Sequence, residues 1–78
     1  MRTGVEKETE KILLENYDKY YRLAYSYMKT EQDALDVVQE SAYKAIRDCG
    51  RVKEKKYIGT WIYRIVVNTA LDALRRRG

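Results

Sequence analysis

Three stretches of the chain place apolar residues at helical spacing, and polar punctuation separates them. From about Thr9 the residues Leu13, Tyr17, Tyr20, Ala24 and Tyr27 recur four, three, four and three apart, which sets them on one side of a helix. Tyr21, Tyr25 and Met28 widen that stripe, and the spacing predicts one helix ending near Met28 or Lys29. A second helix is expected to start at Thr30, because T-E-Q-D puts a capping hydroxyl three residues before a carboxylate and fills the first turn with acid. Its apolar stripe is Leu35, Val38, Ala42, Ala45 and Ile46, with Asp33, Asp36, Gln39 and Glu40 on or beside the opposite face. Asp48-Cys49-Gly50 is expected to close it, with Gly50 suited to a left-handed residue after the helix.

The third stretch, Tyr57 to about Arg76, reads as a helix of about twenty residues, roughly 30 Å long. Ile58, Ile62, Ile65, Val66, Thr69 and Ala73 form the side expected to pack on the other helices. Trp61, Arg64, Asn68, Asp72 and Arg75 fall three, four, four and three apart, so they share a separate narrow stripe. Between the second and third helices, RVKEKK at 51–56 is too polar for a core and reads as a loop. Residues 1–8 have few apolar side chains and a glycine, and are read as a flexible lead-in to a single domain over 9–78. The fold class that follows is all-α, a compact bundle of three or four helices.

Composition sharpens this picture in two ways. Eight Tyr, one Trp and no Phe among 78 residues give a core whose hydroxyls must reach water or a partner. One Cys and no His remove a disulfide framework, a histidine metal site and any Cys-His or Ser-His nucleophile pair, so catalysis, a bound metal and a cofactor are not expected. The lone Cys49 fits a reducing compartment, and no signal peptide or run of eighteen apolar residues occurs, so a cytoplasmic chain with no membrane insertion is expected.

The net charge of +4 hides a gradient. Residues 1–30 carry six basic and five acidic side chains, 31–48 carry two and five, and 51–78 carry eight and two. Two oppositely charged surfaces suggest two partners, the basic one a polyanion, although solvated helix faces can differ in charge without any partner. On the third helix an aromatic, an amide and arginines supply a stacking surface, a bidentate group for base edges and charges for phosphates. The same residues admit a plainer reading, with Trp61 as core and Arg75-Arg76-Arg77 as a solvated last turn favourable to the helix dipole. Asp72 reads as a partner for Arg75 or Arg76 on the same helix.

Taken together, DALDVVQESAYKAIRD at 33–48 and YIGTWIYRIVVNTALDALRRR at 57–77 resemble region 2 of a bacterial sigma factor of the extracytoplasmic-function group. The resemblance covers nearly all of the chain from Thr9 onward. It implies a domain that binds core RNA polymerase with one helix and recognises and melts the minus-ten promoter element with another. Asp36-Val37-Val38-Gln39-Glu40 is similar to the family's DLVQE motif, which implies docking of Asp33, Asp36, Gln39 and Glu40 on the clamp helices of the β′ subunit. The last helix is similar to the family's WLYRIARN-type stretch, which implies base recognition by Asn68 and backbone contacts from Arg64, Arg75 and Arg76.

By the same resemblance, Arg51, Val52, Lys53, Lys55 and Lys56 form the loop that captures a base flipped from the single-stranded non-template strand. That loop often carries a large hydrophobic ring, whereas this one offers Val52, with Tyr57 beside it as the alternative, and Trp61 as a further stacking surface. Val67 stands where many members carry Arg, so DNA affinity from this domain alone is expected to be weak. The chain is read as a fragment without the family's C-terminal domain, and an anti-sigma protein is a further partner that the resemblance implies. A helical protein-interaction module with no direct DNA role is the alternative class.

Overall fold

The computed structural model describes residues 3–77, which form four α-helices and no strand: α1 Gly4–Glu15, α2 Tyr17–Met28, α3 Glu31–Asp48 and α4 Ile58–Arg77. The expected all-α bundle is therefore the fold. Two short 3-10 turns, Cys49–Arg51 and Lys55–Tyr57, carry the chain from α3 to α4.

The N-terminal part differs from expectation, and the reasons are local. Met1 and Arg2 of the expected flexible lead-in lie outside the described residues, but Gly4–Glu8 are helical. Thr3 starts α1 through a reciprocal box, its hydroxyl accepting from the Glu6 N–H at 3.2 Å while the Glu6 carboxylate accepts from the Thr3 N–H at 2.8 Å. Two otherwise orphaned backbone donors are thereby satisfied. The single helix expected up to Met28 is in fact two. At Asn16 the backbone leaves helical geometry (φ −114°, ψ 20°), and both its N–H and its side-chain amide donate to the Ile12 carbonyl at 3.0 Å. An Asn side chain that competes for backbone acceptors in this way breaks a helix readily.

The start of α3 is as expected. Thr30 caps it, accepting from the Asp33 N–H at 3.3 Å. We expect Thr30→Ala to cost about 1 kcal/mol, read as a lower thermal midpoint with unchanged helical content. Its end is not as expected. Gly50 lies in the 3-10 turn after the helix and no glycine among the described residues has positive φ; the left-handed residue is Lys29, at φ 68°, where α2 stops and its N–H donates to the Tyr25 carbonyl. Continuing α3 directly into a 3-10 turn removes the need for a left-handed cap.

The core is made by α2, α3 and α4. Tyr20, Ala24 and Met28 meet Ala34, Val37, Val38 and Ala45 from α3 and Ile58, Ile62, Val66 and Ala70 from α4, all buried. The buried side of α3 is turned by one position from the expected stripe: Ala34, Val37, Val38, Ser41 and Ala45 face inward, while Leu35, Ala42 and Ile46 are half-buried at the flanks. Small side chains occupy the contact line because they let helix axes approach closely. Ser41 is accommodated there by donating its hydroxyl to the Val37 carbonyl at 2.7 Å. On α4 the expected Ile58, Ile62, Val66 and Thr69 are buried, and Ile65 and Ala73 sit partly buried beside them. Tyr17, expected in the core, is exposed, because the break at Asn16 re-aims the start of α2.

Candidate nucleic-acid and protein-docking surfaces

The α3–α4 connection wraps the first turns of α4, and this brings the loop residues and the helix face together. Arg51, Val52, Lys53, Tyr57, Trp61 and Arg64 line one open groove. Arg51 and Trp61 also line a neighbouring groove with Asn68, Lys44 and Asp48. Most of the expected nucleic-acid residues are thus contiguous, from the loop to the middle of α4. Trp61 is half-buried and packs against the core while forming a wall of both grooves, so its structural and surface roles coexist. Val52 is tucked against the core, whereas Tyr57 is 56% exposed, with the Lys56 ammonium 5.2 Å from its ring centre.

Charge in these grooves is largely unanswered. Arg51, Lys53 and Arg64 have no ion-pair partner among the described residues. The carboxylate lining the Asn68 groove, Asp48, is held below the usual carboxylate range by its paired hydrogen bonds from Arg47, at 2.8 and 3.0 Å, with Arg51 adding to the effect. It therefore remains an anion already matched by arginine. Lys44 was not anticipated from sequence. Its amine donates to the buried Thr69 hydroxyl at 3.1 Å and pairs with Glu40 at 3.0 Å, which fixes a positive charge at the edge of the Asn68 groove.

Four expected residues fall outside this gathering. Lys55 is exposed and lines neither groove, and Lys56 turns to the other flank of α4. Arg75 pairs with Asp72 at 2.9 Å, the intrahelical pairing anticipated for that aspartate. Arg76 approaches Glu40 at 3.8 Å, and Arg77 contacts Asp33. The last turn of α4 is thus occupied by ion pairs, two of them to α3.

Those two pairs cross to the acidic residues. Asp33 and Glu40 are half-buried beside the end of α4, while Asp36 and Gln39 point outward; Asp36 accepts from the Gln32 amide at 3.1 Å. Beyond Gln39 lies an almost wholly apolar groove between α1, α2 and α3, walled by Leu13, Leu14, Tyr17, Val38, Ala42 and Ile46. Leu14 is 73% exposed. The signal for it was present in the Ile12-Leu13-Leu14 run, since with Ile12 and Leu13 packed against the core the helical turn carries Leu14 outward. An exposed leucine on an apolar groove beside outward-facing polar side chains is the composition of a protein-docking surface. No helix among the described residues is long and apolar enough to cross a membrane.

The chain is 43% identical over 77 residues to the RNA polymerase sigma factor SigV of Bacillus subtilis, covering 92% of this chain and 46% of that protein. It is 33% identical over 67 residues to the ECF RNA polymerase sigma factor SigM of Mycobacterium tuberculosis, covering 86% and 34%. With the ECF RNA polymerase sigma factor SigW of Bacillus subtilis the identity is 30% over 60 residues, covering 77% and 32%. The chain therefore spans less than half the length of these relatives. No solved structure is matched. Residues 12–78 match the family described as Sigma-70 region 2, and with these relatives the chain belongs to that family, as a region 2 domain of an extracytoplasmic-function sigma factor.

Proposed function

We propose that this domain acts in transcription initiation, docking on core RNA polymerase through the outer face of α3 and holding the opened minus-ten element of the promoter along the first half of α4. The observation that carries the reading is the coincidence, on one continuous face, of unpaired Arg51, Lys53 and Arg64, the rings of Tyr57 and Trp61, and the exposed amide of Asn68. A single strand needs these chemistries together: cations for phosphates, rings for unstacked bases and an amide for a base edge. The domain performs no bond chemistry in this scheme. Opening a base step costs a few kcal/mol, and stacking on an aromatic side chain returns about 1–3 kcal/mol per base, so binding energy alone favours the melted state.

The exposures favour Tyr57 over Val52 as the ring that meets the flipped base. Arg75 and Arg76 have a secondary place in this scheme, because carboxylates already answer both. On the polymerase side, Asp36 and Gln39 meet the β′ clamp helices directly, and the Leu14 groove extends the same surface with apolar area. A cytoplasmic location follows from this role, and an anti-sigma protein that covers either surface is a natural regulator.

Asn68→Ala tests the base-reading assignment. In polymerase transcription assays with the full-length protein, the variant is expected to lose discrimination at one promoter position by about 1–3 kcal/mol, roughly 5- to 150-fold, while still binding core polymerase. Unchanged promoter preference would remove Asn68 from that role. The apolar groove also suits a domain that only docks on proteins. Salt separates the two readings, because multi-phosphate contact makes affinity for single-stranded DNA fall steeply with ionic strength, whereas a protein-only module binds no such strand.

A further inference from the structure

The Tyr57–Trp61 groove does not end at α4. Thr60, on the first turn of that helix, is shared with a second groove on the opposite flank, lined by Asn16, Lys19, Lys56, Gly59 and Tyr63. Its chemistry repeats that of the first. Lys19 is exposed and has no ion-pair partner among the described residues, and Lys56, besides its place over the Tyr57 ring, has an exposed contact with Glu54 at 3.5 Å. Tyr63 is 41% exposed. No carboxylate lines this groove. Its two walls are fastened together, since the buried Tyr20 of α2 donates its hydroxyl to the Gly59 carbonyl of α4 at 3.3 Å. Lys19, the residue before Tyr20, is therefore held beside the start of α4 by the core itself.

We propose that this second groove is a nucleic-acid contact that continues the path of the single strand over Thr60, with Lys19 and Lys56 against phosphates and Tyr63 against a sugar or base. The inference rests on the proposed function and extends its footprint to α2, an element with no other part in that surface. The contact is made to backbone and ring faces, so it adds affinity without sequence preference. Two cations flanking a ring, with hydroxyl and amide groups between them, suit a phosphodiester chain better than an acidic helix, whose carboxylates would leave Tyr63 without a stacking partner.

The test uses the full-length protein and a fluorescein-labelled single-stranded DNA of mixed sequence, with anisotropy titrations at several salt concentrations. Lys19→Glu is expected to weaken binding roughly three- to tenfold, and Lys19→Ala to reduce the slope of log affinity against log salt by about 0.7, the loss of one phosphate contact. Tyr63→Ala is expected to weaken binding several-fold with the salt slope unchanged, which a merely structural effect on charge placement would not produce. Lys29→Glu serves as the control. It changes net charge identically at the far end of α2, about 15 Å along the helix, and should leave affinity within twofold.

The proposal is overturned if Lys19→Glu retains the parent affinity and slope, or if Lys29→Glu weakens binding as much as Lys19→Glu does. Arg64→Ala separates the two levels: if it weakens binding while Lys19 and Tyr63 variants do not, the first groove stands and only the extension falls. If the unsubstituted protein shows no salt-dependent binding, both fall.

Discussion

Asp36→Arg is expected to weaken binding of the full-length protein to core RNA polymerase by at least tenfold, with helical content and thermal midpoint unchanged. The carboxylate is exposed, accepts from the Gln32 amide at 3.1 Å and has no ion-pair partner among the described residues, so reversal removes little from the fold. At the proposed docking surface the same reversal sets a guanidinium against the basic residues expected on the clamp helices, and like charges facing one another across an interface cost several kcal/mol when water is excluded. Glu40 is a poorer probe. Its carboxylate is shared between Lys44 and Arg76, so Glu40→Arg would repel both and disturb the α3–α4 contact as well as the partner. Binding measured on immobilised core polymerase at two salt concentrations checks the claim: the parent should lose affinity with salt more steeply than the variant. Equal binding of parent and Asp36→Arg would take this face out of the polymerase contact.

Ile62→Ala is expected to destabilise the domain by about 2–5 kcal/mol. Ile62 is fully buried where α4 crosses α2 and α3, and its neighbours one turn away on either side, Ile58 and Val66, are buried too, so the cavity left cannot be filled by an exposed side chain moving in. A domain of this size has a total stability of about 4–12 kcal/mol, so this one truncation consumes a large part of it. Thermal unfolding followed by circular dichroism should show a midpoint lowered by about 10 °C or more. Ile65→Ala, at a half-buried position on the flank, should cost clearly less. Similar shifts for the two would mean that α4 packs on a different face.

The helices of the two proposed surfaces were legible in the sequence, and the reason is the strength of their local signals. Thr30 with Asp33 marks the start of α3, and the isoleucine spacing of α4 leaves one buried face and frees Trp61, Arg64 and Asn68 on another. The first helices were harder to read because their tyrosines are amphipathic. Tyr17, Tyr20 and Tyr25 have the same composition, yet only Tyr20 is buried, and the difference is set by the one-residue break at Asn16 and by the hydroxyl's acceptor on Gly59. Neither is visible as periodicity. The Thr3–Glu6 box was present in the sequence but was outweighed by the polar composition around it. The Arg75–Asp72 pair was legible from its spacing on one helix, but the fate of Arg76 and Arg77 was not, because their partners on α3 lie more than thirty residues away along the chain.

Those terminal arginines give the domain an internal competitor. Arg76 and Arg77 lie on Glu40 and Asp33, so a basic helix arriving at α3 meets carboxylates that already have guanidiniums beside them, and engaging these carboxylates sets the guanidiniums free at the end of α4. Exposed pairs of this kind contribute about 0.2–1 kcal/mol each, so the exchange is close to balanced. Linkage then works in both directions: a polyanion that draws the arginines away uncovers the acidic face by the same factor by which a cationic partner on that face releases the arginines. The crossing of α3 and α4 thus ties the acidic face of α3 to the basic end of α4.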